Sequence, residues 1–137
     1  MSRVDELRDL AAMKSPWKQV SPMEPGVDYF VLASSIPPKS VTSTWRLFRG
    51  SRAVRRQLLA TDGVVGFSML AEPLRKNYAT LSVWRDEGAL DSFALAHPHD
   101  QLMRDLGPKM GPTRFVRWTI AGANGVPSWA DALRRLE

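Results

Sequence analysis

The chain has two histidines, and they stand two residues apart as His97-Pro98-His99. Imidazole is the side chain best suited to exchanging a proton near neutral pH and to offering a lone pair to a ligand atom. Positions i and i+2 of a helix lie about 200° apart, so at most one of the two rings enters a given pocket from regular helix. Pro98 biases His97 toward extended backbone and itself suits the first position of a new helical turn, which leaves His97 near a cap and His99 inside the first turn. His99 is therefore the first candidate for a catalytic or ligand-holding group, with His97 the second. The alternative is that both rings only stabilise a kink between two helical pieces, one exposed and the other hydrogen-bonded to backbone.

Other side chains extend this set. Trp84 ends the alternating run "NYATLSVW", where its indole either stacks on a planar ligand or fills the core beside Tyr78. Thr80, Ser82 and Asn77 are the polar groups of the same run. Arg117, opposite in alternation to Val116 and Trp118, either pairs its fork with a ligand carboxylate or stands as an exposed strand arginine. No nucleophile elbow, phosphate loop, dinucleotide fingerprint or paired-carboxylate spacing is present, which removes the ordinary hydrolase, kinase and dehydrogenase readings. With no cysteine in the chain, disulfides, thiolate metal sites and thiol nucleophiles are excluded together.

The elements that position these residues follow from pattern. At 137 residues the chain suits one domain, and no apolar run approaches the ~20 residues of a membrane span. The start shows no export signal, so a cytoplasmic home is expected. Residues 1–14 read as a short amphipathic helix, followed by the Pro-rich lead-in "SPWKQVSPMEPG". Asp28 to Ser35 reads as a strand. Ser40, Thr42 or Ser43 then caps a long helix ending near Thr61 and closed by Asp62-Gly63. "VVGFSMLAE" is a second strand, cut by Pro73, and "NYATLSVW" a third. A second helix opens at Asp86 and carries Leu90, Phe93 and Ala94 inward; Pro98 interrupts it, and a further helical piece runs on to Gly107-Pro108. "TRFVRWTIAG" is a fourth strand, and "VPSWADALRRLE" a short helix capped by Ser128.

The order is α+β, a ferredoxin-like β-α-β-β-α-β domain over residues 28–121 with two helices on one face of a four-stranded antiparallel sheet. Residues 1–27 form the lead-in and 122–137 a turn and short helix. With Ala79, Leu81 and Val83 turned toward the helices, Tyr78, Thr80, Ser82 and Trp84 point the other way, joined by Phe67 and Met69. So much aromatic area is not normally left in water, and a second copy packed sheet to sheet would cover it. A homodimer through that open face is expected, enclosing an apolar lumen suited to a small hydrophobic ligand.

The net charge is +5, and the densest basic group is Arg46, Arg49, Arg52, Arg55 and Arg56. On a helix Arg46, Arg49, Arg52 and Arg56 fall along one side, with Leu47, Phe48, Val54, Leu58 and Leu59 across the opposite arc. No stacking platform is interleaved with the arginines, so the stripe reads as a solvated helix face rather than a nucleic-acid site.

The strand ending in "SVW", the acidic turn "RDEGAL" into a helix with an inward Phe, and the "HPH" that follows resemble the dimeric α/β-barrel proteins of the antibiotic-biosynthesis-monooxygenase type. The longer stretch from "LRKNYATLSVW" to "GPTRFVRW" is similar to small proteins related to spheroidene monooxygenase. The resemblance spans about Asp28 to Ala121. It implies a homodimer with one pocket per subunit, between the sheet and the second helix. It also implies a monooxygenase acting on a flat hydrophobic molecule, either without a cofactor or with heme, whose iron His99 would hold and whose propionate Arg117 would pair. Trp84, His99 and Asn77 are the catalytic candidates, and Tyr78, Thr80, Ser82, Phe67, Met69 and Phe93 the candidate substrate wall. A non-catalytic ligand-binding or structural dimer of the same fold is the alternative.

Overall fold

A computed structural model describes residues 13–72 and 76–137. Four long strands carry the architecture: β3 (Asp28–Ile36), β4 (Val64–Glu72), β5 (Asn77–Trp84) and β6 (Arg114–Ala121). Two short ones, β1 (Met13–Lys14) and β2 (Lys18–Gln19), lie along β4. The sheet is antiparallel throughout its pairings, and its main path runs β1-β4-β5-β3-β6. The inner order β4-β5-β3-β6 places the two strands that follow a helix at the outside, which is the ferredoxin-like plan.

Helix α1 (Val41–Ala60) begins at Ser40, whose side chain accepts a hydrogen bond from the Ser43 amide, so of the three sequence candidates Ser40 is the cap. It ends at the Asp62-Gly63 turn. Gly63 has φ +91°, and a Cβ there would stand 2.6 Å from that of Ala89, so the turn requires glycine on both counts. Helix α2 (Glu87–Leu95) is capped by Asp86, which accepts from the Ala89 amide at 2.8 Å. Helix α3 (His99–Leu106) starts directly after Pro98, and α4 (Trp129–Arg135) starts at Ser128, which accepts from the Asp131 amide.

Two expectations need correction. The N-terminal helix over residues 1–14 lies outside the described residues except at its end, where Met13 and Lys14 are instead a strand paired with Ala71 and Leu70. The lead-in that follows contributes Lys18 and Gln19 to the same edge, where strand prolines are tolerated.

The second correction concerns the two faces of the sheet. Trp84, Phe67 and Tyr78 face the helices: Trp84 and Phe67 pack with Val54, Leu58, Leu90 and Phe93, and Tyr78 with Leu47 and Leu106. Ala79, Leu81 and Val83 point the other way. There Tyr29, Val31, Ala33, Val65, Leu81 and Val83 form a core with Ala132 and Leu136 of the C-terminal segment, against which Trp17, Met23 and Trp129 also pack. The chain therefore roofs this face with its own two ends. Trp17 lies so close over β4 that a Cβ on Gly66 would meet its ring at 2.5 Å, and the strand is bulged at this point. The aromatic area that called for a second copy is covered inside the protomer, and the face expected to be bare is not. Alternation along β5 separates the two faces but does not say which of them the helices cover.

Candidate functional site

Between the sheet and helices α1, α2 and α3 lies a cavity of about 310 Å³. Leu32, Phe67, Met69 and Trp84 come from the strands, Val54 and Leu58 from α1, and Leu90 and Phe93 from α2. The packing behind them is tight, and Trp84 is only 1% exposed. Trp84, Phe93 and His99 form a continuous aromatic wall: the Trp84 and Phe93 rings lie 5.2 Å apart and the Phe93 and His99 rings 5.1 Å, both pairs tilted.

The local chain path explains why His99 takes part and His97 does not. Helix α3 begins directly after Pro98. His97 is thrown outward, with 73% of its side chain exposed and its Nδ1 3.4 Å from Asp100. His99 turns inward. Its Nδ1 lies 3.0 Å from the Ala94 carbonyl oxygen, and its backbone N–H donates to Gln57 Oε1 at 3.0 Å. Gln57 donates in turn to the carbonyls of Phe93 and Ala96, so one side chain of α1 ties the end of α2 to the start of α3. A carbonyl only accepts, so the proton of a neutral His99 sits on Nδ1 and its lone pair on Nε2. Nε2 has no partner among the described residues.

Three hydroxyls supply the polar part of the wall. Ser34 and Thr80 face each other across β3 and β5, their oxygens 2.5 Å apart. Either can donate, and the other keeps a hydrogen for a ligand. Ser82 accepts the Trp84 indole N–H at 2.8 Å, which satisfies a buried donor and leaves the Ser82 hydrogen free to point at a ligand oxygen. Thr113, Phe115 and Arg117 stand on the β6 side of the cavity.

Eight of the residues singled out from the sequence thus line one cavity: Trp84, His99, Arg117, Thr80, Ser82, Phe67, Met69 and Phe93. Three do not. His97 faces solvent. Asn77 sits at the strand start, where it accepts from Ser35 Oγ at 2.7 Å and donates to Glu72 at 2.9 Å. Tyr78 lines a neighbouring depression with Arg52 and Arg55, its hydroxyl donating to Met69 Sδ at 3.0 Å. Sequence reasoning missed Ser34 and Gln57. The Ser34–Thr80 register was readable only once the β3–β5 pairing was known, and Gln57 stands between arginines and leucines with nothing to mark it.

Heme does not fit these residues. The ring nitrogen it needs is present on His99, but about 310 Å³ is near the bottom of the range for ligand pockets, and a tetrapyrrole with two propionates belongs well above it. Arg117, the expected propionate partner, already binds Glu87 at 2.8 Å and approaches Asp91 at 3.5 Å.

A Fusobacterium nucleatum protein provisionally assigned as a monooxygenase superposes with a TM-score of 0.69 over 80% of this chain at 8% identity. This chain spans half of that protein's length. A Nitrosomonas europaea protein provisionally assigned as an antibiotic-biosynthesis monooxygenase gives a TM-score of 0.58 at 13% identity, over 65% of this chain and 95% of its own. The chain has the antibiotic-biosynthesis-monooxygenase fold. SnoaB of Streptomyces nogalater, a cofactor-independent oxygenase, shares the fold with a TM-score of 0.53 at 14% identity, over 67% of this chain and 92% of its own. Neither a family model nor a curated protein matches the sequence.

Proposed function

We propose that the protein oxygenates a flat, enolisable aromatic molecule inside the cavity without a cofactor. One observation carries this reading. The lone pair at His99 Nε2 and the hydroxyls of Ser34, Thr80 and Ser82 line the same apolar, aromatic-walled space of about 310 Å³. The shared fold with an oxygenase described as cofactor-independent supports it by analogy.

In this mechanism the ligand ring lies in the apolar slot against Leu32, Met69 and Phe115, which keep accessible surface there, with Trp84, Phe93 and Phe67 packed behind them. His99 Nε2 removes a proton from a ring CH₂ activated by a neighbouring carbonyl, and the resulting enolate oxygen accepts hydrogen bonds from the wall hydroxyls. The electron-rich enolate carbon gives one electron to O₂, the two radicals combine to form the C–O bond, and the peroxide takes a proton from the imidazolium. Base-assisted loss of the remaining C–H with cleavage of O–O releases water, so CH₂ and O₂ become C=O and H₂O. The protein supplies a dry aromatic slot, a base and hydroxyl donors, and the ligand supplies all the electrons.

The test is oxygen uptake with a tricyclic ketone bearing an acidic ring CH₂, followed by mass analysis after reaction under ¹⁸O₂. One labelled oxygen in the product carbonyl is expected, and His99→Ala is expected to lower the rate by about 10²–10⁴-fold while quenching of Trp84 fluorescence by the ligand persists. Absence of both uptake and quenching would end the proposal. A second reading, binding without turnover, draws on the fact that Ser34, Thr80 and Ser82 already have partners within the wall. Quenching without oxygen uptake would select it.

A further inference from the structure

Among the described residues the arginines divide into two sets, apart from Arg114, which donates to the Leu136 carbonyl oxygen at 2.8 Å. Outside α1, Arg85 binds Asp62, Arg104 binds Asp100, Arg117 binds Glu87, and Arg134 and Arg135 bind Asp131. The five on α1, Arg46, Arg49, Arg52, Arg55 and Arg56, are all exposed, and none has a carboxylate partner among the described residues. The helix itself contains no acidic residue at all. Arginines stand i, i+3 or i, i+4 apart at 46/49, 49/52, 52/55 and 52/56, and like charges at those spacings weaken a helix. Arg55 lies over the Phe67 ring, 5.3 Å from its centre, but the remaining four have no such role among the described residues, and α1 is held by its opposite arc, where Leu47, Val54 and Leu58 are buried.

The exposed face has a second property. Counted at 100° per residue, Trp45, Arg49, Arg52, Arg56 and Leu59 fall in one narrow outward band with spacings of four and three. Trp45 is 55% exposed and Leu59 43%, so the basic line has a large hydrophobic side chain in water at each end. Leu59 was expected on the inner arc. Its place three residues beyond Arg56 and seven beyond Arg52 puts it on the outer one.

A line of arginines between exposed Trp and Leu is the composition of a surface that meets lipid headgroups: guanidinium on phosphate, indole at the headgroup level, aliphatic chain at the acyl boundary. Nucleic acid is a poorer match. No aromatic ring interleaves with the three arginines to stack a base, and a helix laid flat along its sheet does not protrude to enter a groove. We propose that the outer face of α1 docks the protein on an anionic phospholipid surface, with Arg49, Arg52 and Arg56 on the phosphates and Trp45 and Leu59 seated in the interface. The contact is peripheral, since no helix among the described residues is long and apolar enough to cross a membrane. It does not depend on what the cavity binds.

The experiment is co-sedimentation of the full chain with vesicles of phosphatidylcholine alone and of phosphatidylcholine mixed with phosphatidylglycerol, with circular dichroism to verify the fold of each variant. Binding to the anionic vesicles alone is expected, with a blue shift of tryptophan emission that Trp45→Phe removes. The triple variant Arg49→Gln, Arg52→Gln, Arg56→Gln is expected to bind about a hundredfold more weakly. The charge-matched control Arg104→Gln, Arg134→Gln, Arg135→Gln is expected to bind like the wild type. Equal binding to neutral vesicles, an equal loss in the control, or displacement from vesicles by trace duplex or single-stranded RNA would each overturn the proposal, the last in favour of a nucleic-acid partner.

Discussion

His99 is held to Ala94 across the break between two helices, its Nδ1 3.0 Å from a carbonyl oxygen five residues back. That contact fixes both the tautomer and the ring plane, and Gln57 fixes the backbone beneath it. Gln57 is therefore a positioning residue: it donates to Phe93 O at 3.0 Å and accepts from His99 N at 3.0 Å. Gln57→Leu keeps most of the volume but leaves these part-buried backbone groups without their partner. The expected cost is about 1–3 kcal/mol of unfolding free energy in a denaturant titration. Ligand affinity should fall with it, because α3 is then free to rock and His99 moves with α3. Unchanged stability would show that water replaces the amide without loss.

Ser82 and Trp84 make a second such pair. The indole N–H is buried and its acceptor is Ser82 Oγ at 2.8 Å. Ser82→Ala strands that donor in an apolar wall and is expected to destabilise the fold by about 1–3 kcal/mol, whereas Trp84→Phe removes donor and need together. The double variant should accordingly cost less than the sum of the two single changes, which a double-mutant cycle measures directly. Additive effects would mean that the indole finds another acceptor.

Fold class and element order were legible because the strand runs are rich in β-branched and aromatic residues and bounded by turn residues, and because three of the four described helices carry a side-chain cap where residue type and position indicate, Ser40, Asp86 and Ser128, while α3 after Pro98 has none. The composition of the candidate site was legible as well, since Trp84, His99, Thr80, Ser82, Phe67 and Phe93 do converge on one cavity. What the sequence misled about was orientation. Period-2 alternation in β5 sorts residues into two sets, but both sets here are buried, so neither is marked as the outer one. The deciding facts lie far along the chain. Trp17 and Trp129, in segments with no long periodic run, cover the Leu81 side of the sheet, and Trp129 Nε1 donates to Ser68 Oγ at 3.0 Å to fix the lid. Long-range packing of this kind leaves no local pattern to read.

That lid makes a prediction about association. A chain stopped after Gly125 uncovers Val31, Ala33, Leu81 and Val83, a contiguous apolar surface of the sort that drives self-association. Gel filtration with light scattering is expected to show larger species than the full chain forms at equal concentration. Within the full chain, Leu136→Ala should cost about 2–5 kcal/mol, because Leu136 is buried against the same core. A truncated chain with unchanged mass in solution and unchanged stability would show the C-terminal helix to be dispensable cover.

Tyr78 gives the protein an alkaline weakness whose sign can be worked out. Burial between α1 and the sheet raises its phenol above the ordinary value, a hydrogen bond with Ser51 pulling more weakly the other way. Below the ordinary phenol range, about 10, the group is neutral in both folded and unfolded chains and stability is independent of its titration. As pH climbs past that range the unfolded chain releases the proton while the folded one retains it. The folded state then binds more protons than the unfolded, and unfolding free energy falls with rising pH. Tyr78→Phe removes the titrating group while keeping the ring against Leu47 and Leu106. Urea midpoints measured from neutral to strongly alkaline pH are therefore expected to fall less steeply in Tyr78→Phe than in the wild type, the two curves diverging only on the alkaline limb. Parallel curves would mean that the phenol reaches water before the fold gives way.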